Sequence, residues 1–145
     1  LARWDLGIDD AGSTQIEEHF DQPAMKFLVR SLNHELTSDE MLEIAQKELK
    51  GIATATHSNS SESLLEISAM GVSKGETLAK LAQRLNISAA DVITFGDNPN
   101  DISMLEWSGR SYAMATAHPA AQAAAKSIAP ECNDDGVAQI LEELI

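Results

Sequence analysis

The sequence predicts an α/β protein: half of a Rossmann-like parallel sheet in residues 71–145, preceded by part of a second α/β lobe in residues 1–70. Two observations carry that class. From Gly71 onward, helix-type segments and short apolar runs alternate without a break, which is the pattern of right-handed βαβ units and a parallel sheet. Before that point the rhythm is absent, so a lobe boundary falls near Met70–Val72. A chain of 145 residues with 43% hydrophobic content suits one compact domain or two small lobes and can bury a core.

The elements follow in order. "MKFLVRS" (Met25–Ser31) alternates between Pro23 and Asn33 and reads as a strand. "TSDEMLEIAQKELKG" reads as a helix with Ser38 or Asp39 as N-cap, acids in its first turn and Gly51 as its stop. Met41, Leu42, Ile44, Ala45 and Leu49 make its apolar stripe. "IATATHS" (Ile52–Ser58) and "SLLEISA" (Ser63–Ala69) are β-like runs that a polar "NSSE" separates, hence a hairpin or adjacent strands. Beyond Gly71 the expected order is helix "KGETLAKLAQRLN", strand "DVITFG", helix "NDISMLEWSG", strand "SYAMA", helix "HPAAQAAAKS", short strand "SIAP" and helix "GVAQILEELI". No internal repeat is present; "AAQAAAK" is alanine-rich but short and helical.

Composition excludes several partners. With 23 acidic against 10 basic side chains and a formal net charge of −13, the chain has no lysine and arginine cluster to track a nucleic-acid backbone. No apolar run approaches the roughly 20 residues that span a bilayer. One cysteine, Cys132, leaves no internal disulfide, and a cytoplasmic location is expected. On that reading the glycosylation patterns at Asn59 and Asn86 are chance matches. Leu1 is not a methionine and "LARWDLGIDD" reads as text entered mid-sentence, so a fragment or processed product is expected.

Chemistry concentrates in "GDNPNDISML" (Gly96–Leu105), which follows the apolar strand "DVITF" and turns helical. Ligands of doubly wound sheets bind at the carboxyl ends of strands, where helix N-termini converge. A carboxylate there, Asp97, suits a hard cation such as Mg²⁺, which takes one or two carboxylates and keeps waters. Asn100 can donate to an anionic oxygen, and Asp101 can support the metal's water shell or a neighbouring cation. Turn formation and helix capping would use the same residue types. Lys74 in "GVSKGETL" adds a second signal: one helix plus one strand separate it from Asp97, so both can reach one sheet edge. A phosphoryl group needs its charge neutralised from two sides, by a cation on each. Placed against the helix dipole, Lys74 is otherwise a solvated side chain at an unfavourable position.

"GVSKG", then "DVITFGDNPNDISML", "SYAMATAHPAAQAAA" and "NDDGVAQILEELI", resemble the Cof-like phosphatases of the haloacid dehalogenase superfamily from about Leu65 to Ile145. The preceding "SDEMLEIAQKEL" and "ATATHSNSSESLLEI" resemble the end of that family's α/β cap domain. The resemblance implies a Mg²⁺-dependent hydrolase of small phosphorylated metabolites, sugar phosphates or similar, working through an aspartyl-phosphate. Residue by residue, Asp97 corresponds to the metal-binding acid and Asp101 to the second acid of the same motif. Lys74 corresponds to the lysine that steadies the phosphoryl group, and Asn100 to the asparagine that contacts phosphate. The family's nucleophile comes from a DxDGT string, and the nearest match, "GIDDAGST" with Asp9 and Asp10, follows no apolar strand and has adjacent acids. The chain alone is therefore expected to be inactive. Thr116 in "MATA" stands where relatives often carry an amide.

The other residues have plainer expectations. His118 before Pro119 reads as a helix cap, and His19, His34 and His57 show no metal spacing. His57 within "HSNSSES" reads first as a surface turn and second as part of a loop that touches substrate. Met104, Leu105 and Trp107 read as core, Cys132 as structural, and Asn133–Val137 as the cap of the last helix. Two other classes stay open: a P-type cation ATPase, which calls for membrane helices and a glycine at Asn98, and a non-catalytic binding module on the same fold. The exposed edge of a half-sheet could also pair with a second copy.

Overall fold

The computed structural model describes residues 23–144, and Asp9, Asp10 and His19 lie outside them. Two three-stranded sheets organise the described chain. The first is antiparallel, in the order β1-β3-β2, with β1 Phe27–Arg30, β2 Ala53–Thr56 and β3 Leu64–Ala69. The expected adjacent pairing of the two β-like runs is present, with Thr54 opposite Ser68 and Thr56 opposite Glu66. Helix α1 (Ser38–Glu48) covers one face, where Met41, Ala45 and Leu65 form a small core.

The start and stripe of α1 differ from expectation. Its N-cap is Thr37, in a reciprocal box with Glu40: Thr37 Oγ1 accepts the Glu40 N–H, and Glu40 Oε2 accepts the Thr37 N–H. Ser38 is free for another task, and its buried hydroxyl accepts the Leu64 N–H at 3.1 Å, tying helix to strand. Ile44 stands 53% exposed because the narrow three-stranded sheet is too small to reach that side of the helix.

The second sheet is parallel, in the order β4-β5-β6, with β4 Ile93–Gly96, β5 Arg110–Met114 and β6 Ser127–Ala129. Helix α2 (Lys74–Leu85) precedes β4, α3 (Ile102–Trp107) joins β4 to β5, α4 (Pro119–Ala124) joins β5 to β6, and α5 (Gly136–Glu142) closes the chain. The alternation read from the sequence is therefore present in full. The core here is rich in alanine: Ala113, Ala117, Ala121 and Ala129 are buried together with Leu105 and Met114, so α3 and α4 sit close on β5. Met104 and Trp107 are half-buried, not core, because α3 turns only the Leu105 side inward.

Helix α5 is capped from the expected segment, but through its backbone. Asp135 caps α5 in a left-handed conformation without a side-chain bond, and Gly136 is buried with no room for a Cβ against the Pro130 carbonyl. The segment Asn133–Val137 thus serves a close backbone approach in place of a side-chain cap. Cys132 is exposed, so the structural role expected of it has no burial behind it. Among the described residues no helix is long and apolar enough to cross a membrane.

Candidate active site

Strand β4 ends at Gly96, and Asp97 and Asn98 lead into a single 3-10 turn, Pro99–Asp101, that runs on into α3. Asp101 is 3% exposed and folds back on this loop: Oδ2 accepts the N–H of Asp97 at 2.9 Å and of Asn98 at 3.2 Å. A Cβ on Gly96 would lie 2.5 Å from the Asp101 Cβ, so only glycine lets the carboxylate sit there. The second oxygen, Oδ1, pairs with the Lys74 ammonium. Lys74 arrives from the first turn of α2, where Ser73 caps the helix by accepting the Glu76 N–H. The Gly75 N–H donates to Ser103 Oγ at 3.0 Å and fastens α2 to α3. Lys74 is thus held against the helix dipole by a buried carboxylate that offsets the unfavourable end.

Asp97 is exposed at the strand end, and among the described residues its carboxylate has no hydrogen bond or ion pair. One exposed, unpaired carboxylate at a strand end is a donor that a hard cation such as Mg²⁺ accepts, its other positions taken by water and other oxygens. Asp101 differs, since both its oxygens are already engaged by the loop amides and Lys74. Among the described residues no cluster of three or more His, Cys, Asp or Glu side chains is arranged to hold a metal. Asn100 and Lys74 line an open cleft of about 950 Å³ whose opposite wall includes Thr54, Thr56 and Glu66.

The structure brings together three further residues that the sequence did not connect. Asp39 Oδ1 receives Nε2 of His57 at 2.8 Å and Nε2 of His118 at 3.1 Å, and the two rings meet edge to face with centroids 6.0 Å apart. Burial by itself would raise the Asp39 carboxyl, but the hydrogen bonds and charges of the two imidazoles hold it below its ordinary value of 3.8. His118 caps α4 as expected: its Nδ1 accepts the Ala120 N–H at 3.1 Å, which places the ring proton on Nε2, facing Asp39. His57 is not in a surface turn. It is 1% exposed, covered where its ring meets Asp39 and His118, and its Nδ1 has no partner among the described residues. The "His-Pro" pair marked the cap, but no local signal ties positions 39, 57 and 118 together. Thr116 is exposed in the loop after β5, away from hydrogen bonds with these residues.

A family model for haloacid dehalogenase-like hydrolases matches residues 8–141. The phosphoglycolate phosphatase of Methanothrix thermoacetophila is 34% identical over 80 residues, covering 55% of this chain and 36% of that protein. Phosphatase YwpJ of Bacillus subtilis is 33% identical over 106 residues, covering 73% of this chain and 37% of the relative. The solved structure of a haloacid dehalogenase-like hydrolase from B. subtilis superposes with a TM-score of 0.72 at 28% identity, covering 90% of this chain and 46% of the other. The chain spans less than half the length of each of these proteins. With the strand-end loop and its lysine in place, the match over nearly the whole chain identifies it: the chain belongs to the haloacid dehalogenase-like hydrolase family, in its Cof-like branch.

Proposed function

We propose that this chain supplies the metal-binding and phosphate-binding half of a Mg²⁺-dependent phosphatase acting on small phosphorylated metabolites. In this reading residues 1–70 are the end of an α/β cap and residues 71–145 the second half of the hydrolase core. The observation that carries it is the Lys74 to Asp101 ion pair, built into the same loop that presents Asp97. That unit places a cation and a free carboxylate at one sheet edge, as charge neutralisation of a phosphoryl group demands.

Asp97 would hold the metal directly, and Asp101 would support the site by fixing the loop amides and Lys74. When bound, Mg²⁺ would draw charge from the phosphoryl oxygens. Lys74 would bind a non-bridging phosphoryl oxygen on the opposite side, and the Asn100 amide would orient the group at the mouth of the cleft. The attacking carboxylate, which forms the aspartyl-phosphate, would come from residues other than those that build this site, and without it the chain would not turn over. The hydroxyls of Thr54 and Thr56 across the cleft suit a hydroxylated leaving group such as a sugar.

The test is phosphate release by the intact enzyme. Lys74→Ala and Asp97→Asn are each expected to abolish it, non-additively, because the groups act as a unit. Near-normal turnover in either variant would remove the site assignment. A second reading is a non-catalytic module that binds phosphate on the same fold. Calorimetric binding of Mg²⁺ and phosphate without turnover in the intact protein would select it.

A further inference from the structure

A closed ring of contacts runs through the candidate loop from the antiparallel sheet. Asp39, at the start of α1, holds both imidazoles on one oxygen. Each imidazole residue then grips the loop through its main chain. The His118 N–H donates to the Asp97 carbonyl at 2.8 Å, and the His57 carbonyl accepts the Asn100 N–H at 3.2 Å. The ring is therefore Asp39, His118, Asp97, Asn100, His57 and back to Asp39. It crosses between the two sheets twice, at His118 to Asp39 and at Asn100 to His57.

We infer that Asp39 is a positioning residue, which sets the conformation of the Asp97–Asn100 loop through two imidazole struts without touching the reacting group. Three observations support the role. His57 is buried in full while one ring nitrogen has no partner among the described residues, a cost that ordinary packing would avoid by using an apolar side chain. The His118 ring is fixed at both ends, by the Ala120 N–H and by Asp39, so it transmits position. The two loop residues gripped are the ones whose side chains face metal and phosphate in the proposed function. Their catalytic roles rest on that reading; the mechanical coupling does not.

The coupling is tested by amide hydrogen exchange of the full chain, followed residue by residue. In Asp39→Ala, the amides of Asn100 and His118 are expected to exchange roughly tenfold faster or more, although neither is bonded to Asp39, while Tyr112 and Ala113 in β5 keep their protection. Asp39→Asn keeps one acceptor oxygen and should recover part of the protection. His118→Ser retains an N-cap for Ala120 but is too short to reach Asp39, and should loosen the same two amides. The inference is overturned if Asp39→Ala and His118→Ser both leave these amides within about twofold of wild type. It is equally overturned if both variants speed exchange uniformly through β4 and β5, since the residues would then serve general stability. Because the readout needs no turnover, its failure is separate from any failure of the phosphatase reading.

Discussion

Lys74 and Asp101 meet as an ion pair of unequal burial: the lysine side chain is 49% exposed and the carboxylate 4%. The asymmetry assigns their tasks. Asp101 is spent on internal order, while the half-exposed ammonium keeps donors free toward the cleft. Asp101→Ala would strip the acceptor from two loop amides and from Lys74, with an expected loss of about 2–3 kcal/mol in chemical denaturation. Lys74→Met should cost less, because it leaves one Asp101 oxygen unpaired while both loop amides keep their acceptor. Equal losses in the two variants would show that the loop does not depend on Asp101 as described.

Gly75 permits the contact that delivers Lys74. A Cβ there would lie 2.3 Å from the Ser103 carbonyl oxygen, a backbone atom that cannot swing aside. Gly75→Ala is expected to destabilise the fold by about 1–3 kcal/mol. It should also lower phosphate release in the intact enzyme, by moving α2 and Lys74 away from Asp101. A variant with wild-type stability would mean that α2 and α3 can separate without cost.

The acids at the start of α1 predict a response to acid. Glu40 is held below its ordinary 4.5, first by the Thr37 backbone N–H and then by the Thr37 hydroxyl. Asp39 is held below its ordinary 3.8 by His57 and His118, against the opposing pull of burial. A carboxyl depressed in the folded state contributes stability above its ordinary value, and loses it as pH falls through the depressed one. Thr37→Ala should therefore cost about 1 kcal/mol near neutrality, and the gap from wild type should narrow below about pH 4. Urea titrations across that range would show it; a gap independent of pH would argue against the capping box.

Leu105 is fully enclosed, beside Met114, among the alanines of the parallel-sheet core. Small neighbours cannot collapse into the space it would leave. Leu105→Ala should cost about 3–5 kcal/mol, at the upper end for such truncations, in thermal or urea unfolding.

Much of the second half was legible because βαβ units are written locally. The strands β4 to β6 are short runs between helix-type segments, α4 begins at the cap read at His118, and the order in space follows the order in sequence. Lys74 stood out because a lysine at a helix start opposes the dipole, and Asp97, Asn100 and Asp101 because they cluster at a strand end, although turns and caps use the same residue types. What went unread lay in neighbours distant along the chain. Thr37 displaced Ser38 as cap because the Ser38 hydroxyl had a partner in β3, and His57 left the surface because its pocket is made by α1 and α4.

By itself, then, the sequence determined the alternating architecture, the position of the strand-end loop and the family, since these depend on periodicity and on residues close together in the chain. Only the tertiary structure decided how the loop is held. Asp101 bonds to two loop amides and Lys74, and Asp39, His57 and His118 come together from three separate segments. The reason is geometric: hydrogen bonds require approach within about 3 Å, and which polar atoms come that close is set by how helices and sheets pack.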